Sequence, residues 1–223
     1  MRNIRPFPSI KGVNLDLNVP GRDYKPYHPD LDDRWLHELL EQLRVSVTQI
    51  IRWDASPRWK MEERRMPDDL FLYVVAGRGK LRIEQPGHPA AGRFIELIAG
   101  DCAHVRRGVR HGATTDPRHP MQHIVLQYTA TVFDSLTLPE VFDFPDVLHV
   151  GDDRKLRELL FDACREFAWQ PAGYGPGLEA SVTRILLHLI REHRQTFDLR
   201  SYQVKLTDLR RLLPALKAMK EKL

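Results

Sequence analysis

Cysteine is scarce in this sequence: Cys102 and Cys164 are its only thiols among 223 residues. Two are too few for a disulfide framework and lack the paired spacing of a zinc knuckle, so both are expected as small buried hydrophobes in a reducing compartment. Long apolar runs are missing as well. No stretch approaches the roughly 18 unbroken apolar residues of a membrane span, and the opening MRNIRPFPSIKGVNLDL has no apolar core of a secretory signal. A cytoplasmic chain without membrane contact is expected. Charge of one sign is gathered nowhere: 34 Lys and Arg stand against 30 Asp and Glu, a formal net charge of +4 with the signs interleaved. That surface is compatible with nucleic acid but forms no dedicated basic stripe. Signatures of covalent catalysis are absent too. There is no Gly-x-Ser-x-Gly elbow, and GRGK at residues 77–80 lacks the length and the following helix of a phosphate loop. No catalytic residue and no cofactor is assigned, and an enzyme is not expected.

What is present changes its period twice. Pro6, Pro8, Pro20, Pro26 and Pro29 predict an irregular arm over residues 1–30, because proline neither donates to a ladder nor sits inside a helix. Leu31, Trp35, Leu39 and Leu43 recur every four residues and predict a short amphipathic helix that completes a unit of residues 1–44. From Val45 the chain turns to short runs rich in β-branched and aromatic residues: VSVTQIIRW, LFLYVVAG, KLRIE, FIELIAG, CAHVRRG and MQHIVLQY, separated by Gly, Pro and Asp clusters. Such spacing predicts a sandwich or barrel, assigned to residues 45–150. After Gly151 the helical period returns. Leu156, Leu159, Leu160, Ala163, Cys164 and Phe167 share one face, QPAGYGPG interrupts, and a second helix is expected over residues 178–197. A last helical stretch, LTDLRRLLPALKAMKEKL, has Thr207 as a plausible N-cap. The fold class is mainly β with C-terminal helices.

The stretch GDCAHVRRGVRH at residues 100–111, preceded by LYVVAGRG at 72–79, resembles the two cupin motifs. In that family a small jelly-roll barrel carries three histidines and a glutamate toward its interior. Gly100, Gly108 and His111 keep the second motif's spacing, with Arg106 where proline is usual. Counting back from Gly77, the glutamate place holds Leu70 and the two histidine places hold Met66 and Arg64. Only His111 remains of the four ligands, and the other three residues cannot act as the deprotonated hard donors a divalent metal requires. The resemblance therefore implies a barrel with no metal at the usual place. The order RRMPDDLFLYVVAGRGKLRIE, ELIAGDCAHVRRGVRHG, MQHIVLQY and two helices is further similar to the effector-binding and dimerisation domain of AraC-type transcription regulators, over roughly residues 59–197. It implies a small polar, sugar-like effector in the barrel and a homodimer formed through the helices of residues 151–200. Residues 201–223 would be a linker to, or first helix of, an absent DNA-binding domain, through which alone DNA would be contacted.

Five residues are candidates for effector binding. His111 holds the retained motif place. His123 and Gln127 share a strand face with Val125 by the period of two; inward, they would need partners that a polyhydroxylated guest could supply, and outward they are merely solvated. On RWKMEERRM the same period groups Lys60, Glu62 and Arg64, and the former metal place of Arg64 argues that Glu62 and Arg64 face inward. Val182, Ile185, Leu186 and Leu189 are the candidate dimerisation stripe, although one apolar face serves packing on the chain's own barrel equally well. His188 and His193 are expected to be exposed. The competing expectation is a metal-dependent cupin enzyme, an isomerase or dioxygenase, with a displaced site drawn from His104, His111, His119 and His123.

Overall fold

A computed structural model describes residues 39–85, 88–133, 136–142 and 144–193. The arm of residues 1–30, most of the first expected helix, and the final segment 201–223 lie outside them. Among the described residues, ten strands pair antiparallel in two sheets. The first contains β1 (Leu43–Asp54), β8 (Gln122–Val132), β3 (Asp69–Ala76), β6 (Asp101–Val105) and β10 (Val147–His149) in that order, with β9 (Leu136–Thr137) pairing on β8. The second runs β2 (Lys60–Arg64), β7 (His111–Thr115), β4 (Arg78–Gln85) and β5 (His88–Ile98). Three helices follow: α1 (Leu138–Val141), α2 (Arg154–Trp169) and α3 (Tyr174–Glu192).

The first sheet is covered on both faces, which explains why its central strands read as nearly unbroken apolar runs. On β3, Leu70, Leu72 and Val74 point into the space between the sheets, where they meet Leu81, Ile83, Leu97, Ala103 and Ala113. Their neighbours Phe71 and Tyr73 point the other way, into a second apolar cluster built with α2 and α3. Gly77 turns β3 into β4 at φ +75°, and a Cβ there would stand 2.1 Å from the Pro120 carbonyl oxygen, so glycine is required on both counts.

The helices settle where the C-terminal stripe goes. Asp153 caps α2, its carboxylate accepting from the Leu156 amide at 2.8 Å. α3 starts at Tyr174, four residues before the expected position. Pro176 is tolerated in its first turn because amides there have no intrahelical acceptor. Val182, Ile185, Leu186 and Leu189 are all fully buried against the chain's own α2 and first sheet. This corrects their assignment to a dimer surface: the apolar face that could have met a second copy is used at home. His188 is not an exposed polar residue either. Its Nε2 lies 2.7 Å from Asp153 Oδ2 and ties α3 to the cap of α2. No helix among the described residues is long and apolar enough to cross a membrane.

Candidate functional site: a cavity at the mouth of the barrel

Strand register decides which side chains reach the barrel interior. On β8, His123 stands opposite Val74, Val125 opposite Leu72, and Gln127 opposite Leu70. Paired residues share a face of the sheet, and the three β3 partners belong to the cluster between the sheets. The His123, Val125 and Gln127 face is therefore inward, and His123 and Gln127 are buried. The same register brings Gln49 and Trp53 of β1 to that side, opposite Gln127 and His123. In the second sheet, His111 pairs with Ile83 of the inter-sheet cluster, so His111 also faces in.

Strand β2 departs from the period of two. Met61 pairs with Ala113 and Arg64 with His111, three steps on β2 against two on β7. This is the signature of a bulge. Met61 and Arg64 thus share the inner side, whereas Glu63 turns outward to ion-pair with Arg82 and with Arg110 Nε at 3.0 Å. Arg64 thus lies on the side of His111, and its grouping with Lys60 and Glu62 is corrected. Those two sit on the rim, paired to each other at 2.9 Å and well exposed.

Between β1, β2, β3 and β8 lies an open cavity of about 440 Å³, within the size range of small-molecule sites. Leu70, Leu72, Val125 and Met61 form its apolar wall, Trp53 and Trp59 flank it, and His123, Gln49 and Arg64 bring polar groups to it. Glu62 and Lys60 border its mouth. His111 and Gln127 face the interior without lining this cavity. Sequence reasoning missed Trp53, Trp59 and Gln49. Trp53 and Gln49 were legible in principle, since they alternate on β1 with the same period used for β8.

Several buried polar atoms in the barrel have no hydrogen-bond partner: His123 Nδ1 and Nε2, His111 Nε2 and Gln127 Nε2. Such atoms are costly in a folded interior unless a partner is supplied. Burial holds the pKa of His123 down to about 4; the Met121 carbonyl and the Asp54 carboxylate oppose this only in part. The imidazole is therefore neutral at pH 7, and it packs against Trp59 with ring centroids 4.8 Å apart. The His111 pKa is lowered by burial, raised somewhat by the Val109 carbonyl, and lowered further by the Arg64 charge. Its Nδ1 lies 2.9 Å from that carbonyl, which can only accept, so Nδ1 carries the proton and Nε2 keeps a lone pair.

These residues do not fit a cupin metal. Arg64 and Leu70 occupy two of the former ligand places, and among the described residues no group of three or more His, Cys, Asp or Glu side chains is placed to hold an ion. Among the described residues, the displaced site drawn from His104, His111, His119 and His123 is not assembled. His104 is on the opposite face of the first sheet, packed against Phe71 at 4.8 Å and Phe144 at 5.2 Å, where burial takes its pKa to about 3. His119 is exposed, its Nδ1 3.0 Å from Arg78 Nη2. The thiols are equally remote from the cavity, and burial raises Cys102 to about 12 and Cys164 to about 11.

Two facing antiparallel sheets, the first covered on its outer face by helices, define a small β-barrel with a cavity between its sheets. Its family follows from the sequence: the profile described as Cupin matches residues 34–195, well over half of the chain, and the chain belongs to the cupin family. No curated protein matches it. Among solved structures it is similar to oxalate decarboxylase from Bacillus subtilis, with 13% identity, a TM-score of 0.32, and coverage of 41% of this chain and 23% of that one. It is also similar to the cupin domain of Drosophila melanogaster CENP-C, with 16% identity, a TM-score of 0.33, and coverage of 36% and 56%. Nothing about function follows from likenesses this distant.

Proposed function

We propose that the chain is an effector-binding cupin module, the sensing part of an AraC-type transcription regulator, which captures a small organic molecule in the barrel mouth and does not transform it. The observation that carries this reading is the cavity itself: about 440 Å³ of open space whose wall offers a neutral histidine with both ring nitrogens unpartnered, next to an arginine and a leucine where cupin enzymes keep metal ligands. The regulator assignment rests on the order of barrel motifs and helices in the sequence. Cytoplasmic location, a homodimer, and DNA contact through a separate domain are parts of the same proposal. The dimer surface must lie elsewhere than on Val182, Ile185, Leu186 and Leu189, which are buried within one chain. An effector regulates only through different affinity for two arrangements of the protein, so it must touch a part that moves.

A thermal-shift screen of sugars, sugar acids and small aromatic or aliphatic acids tests the binding half. A guest at a hundred times its Kd stabilises the native state by about 2.7 kcal/mol and raises the melting temperature by several degrees. Stoichiometric iron, manganese, nickel or zinc in protein purified without chelator or a histidine-affinity column, together with turnover of a screened compound, would replace this reading with the enzyme.

A further inference from the structure

We propose that the guest of this cavity is a carboxylate with an apolar body, an aryl or alkyl acid, held by Arg64 at the mouth and by the Leu70, Leu72 and Val125 wall behind it. This rests on the binding function proposed above and names the chemistry of its ligand.

The argument starts from the charges on the cavity wall. Four charged residues border it: Lys60, Glu62, Glu63 and Arg64. Lys60 and Glu62 neutralise each other at 2.9 Å. Glu63 is held outward by Arg82 and Arg110. Arg64 alone has no hydrogen bond or ion pair among the described residues, and the β2 bulge turns it to the inner side, across the ladder from His111. Among the described residues, the cavity thus presents one uncompensated positive charge. A guest seated there strips water from the guanidinium, which is costly unless the guest brings an opposite charge. The planar fork of arginine matches a carboxylate with two parallel hydrogen bonds, a fit that ammonium lacks.

The remaining wall argues against a polyol. Leu70, Leu72, Val125 and Met61 offer no hydrogen-bonding group beyond the weak thioether, and the neutral polar residues of the lining are Gln49, His123 and the two tryptophan N–H groups. A sugar placed against the aliphatic side would leave hydroxyls unpaired, each at a cost comparable to a lost hydrogen bond. An apolar ring or chain fills the same space without that penalty, with the Trp53 and Trp59 rings at its flanks. His123, unpartnered at both nitrogens, can donate to the second carboxylate oxygen or to a ring hydroxyl.

The test is calorimetric titration of the whole chain with matched probes: phenylacetate and octanoate, their neutral amides, and arabinose, on wild-type protein and on the variants Arg64→Gln and Arg64→Lys. Because the Arg64 side chain is exposed and makes no hydrogen bond or ion pair among the described residues, its replacement should leave the melting temperature unchanged, which separates loss of binding from loss of fold. The expected result is binding of at least one acid, with its amide weaker by about 10- to 150-fold, the span of a charge-assisted hydrogen bond. Arg64→Gln should remove that preference, and Arg64→Lys should retain part of it. Equal binding of acid and amide, or an acid affinity that survives Arg64→Gln, overturns the assignment of charge. Binding of arabinose with exclusion of both acids also overturns it, while leaving the cavity a binding site. If no probe, acid or neutral, binds up to about 10 mM, the binding function itself falls and the ligand chemistry with it.

Discussion

Leu186 offers the sharpest test of where the C-terminal helices belong. It is fully buried in the cluster that joins α2 and α3 to the first sheet. Truncation to alanine removes three carbons, about 2.4 kcal/mol at roughly 0.8 kcal/mol for each buried methylene, and the unfilled space brings the usual total to about 2–5 kcal/mol. For a domain of this size that lowers the melting temperature by roughly 5–20 °C, at about 2–4 °C per kcal/mol. The loss should be the same at two protein concentrations a hundredfold apart, because the contacts are within one chain. An interface leucine behaves differently: its truncation weakens association, so the melting temperature of wild type depends on concentration and that dependence is lost in the variant. Thermal denaturation with parallel sedimentation of wild type and Leu186→Ala separates the two. A variant that melts within a degree of wild type but sediments as a smaller species would refute the packing described above.

The cap of α2 gives a pH-dependent expectation. Burial raises the Asp153 pKa, but hydrogen bonds from the Leu156 amide and His188 outweigh it and hold the carboxylate below its usual 3.8. A depressed carboxyl contributes stability above its unfolded pKa and loses it as pH falls through the folded value. Asp153→Ala should therefore cost about 0.5–2 kcal/mol at pH 7, with the difference closing in urea titrations below pH about 3.8; a difference that persists at pH 2 would count against the linkage. His123→Leu removes two unpartnered buried nitrogens and should stabilise the empty protein by about 1–3 kcal/mol while weakening guest binding. The wild type, whose His123 is held at about 4 against 6.5, should also lose stability between pH 6.5 and 4 through this group, and the variant should not. A lower melting temperature for the variant at pH 7 would show that His123 is satisfied in solution. Amides of β2 should exchange with solvent orders of magnitude faster than those of β8, and a bound guest should slow β2 selectively; equal protection of both strands in the empty protein would contradict this.

The barrel was legible because its signals are local. Turns at Gly77, Gly100 and Gly108 all take positive φ, and the β-branched runs between them became strands at nearly the expected positions. β7 was not legible: HGATT has one small turn former and no large apolar residue, and it is a strand because β2 and β4 flank it. The inward face of β8 could be written down as a set but not oriented, since alternation is the same on either side of a sheet covered on both faces. Arg64 was reached through its motif place, whereas periodicity grouped it wrongly with Lys60 and Glu62, because one extra residue on β2 reverses the count. The helical stripe showed that α3 had an apolar face and left its destination open. An apolar face records that something covers it and carries no information about what.

The two sheets divide the tasks of the molecule unequally. In β8, His123, Val125 and Gln127 face the cavity side while Ile124, Leu126 and Tyr128 anchor the helices, so this strand is fixed from behind and cannot shift without disturbing the main core. β2 has no such backing. It is an edge strand, exposed along most of its length, bulged, and bonded on one side only, to β7. A guest between these strands meets one rigid wall and one compliant wall, and its differential contacts can be made most cheaply on the compliant side. Arg64, the unneutralised charge of the cavity, belongs to that wall. The residue best suited to recognise an anion therefore also sits on an edge strand held from one side only, the kind of element that the proposed sensing needs and that a metal cage, whose ligands must be fixed, does not.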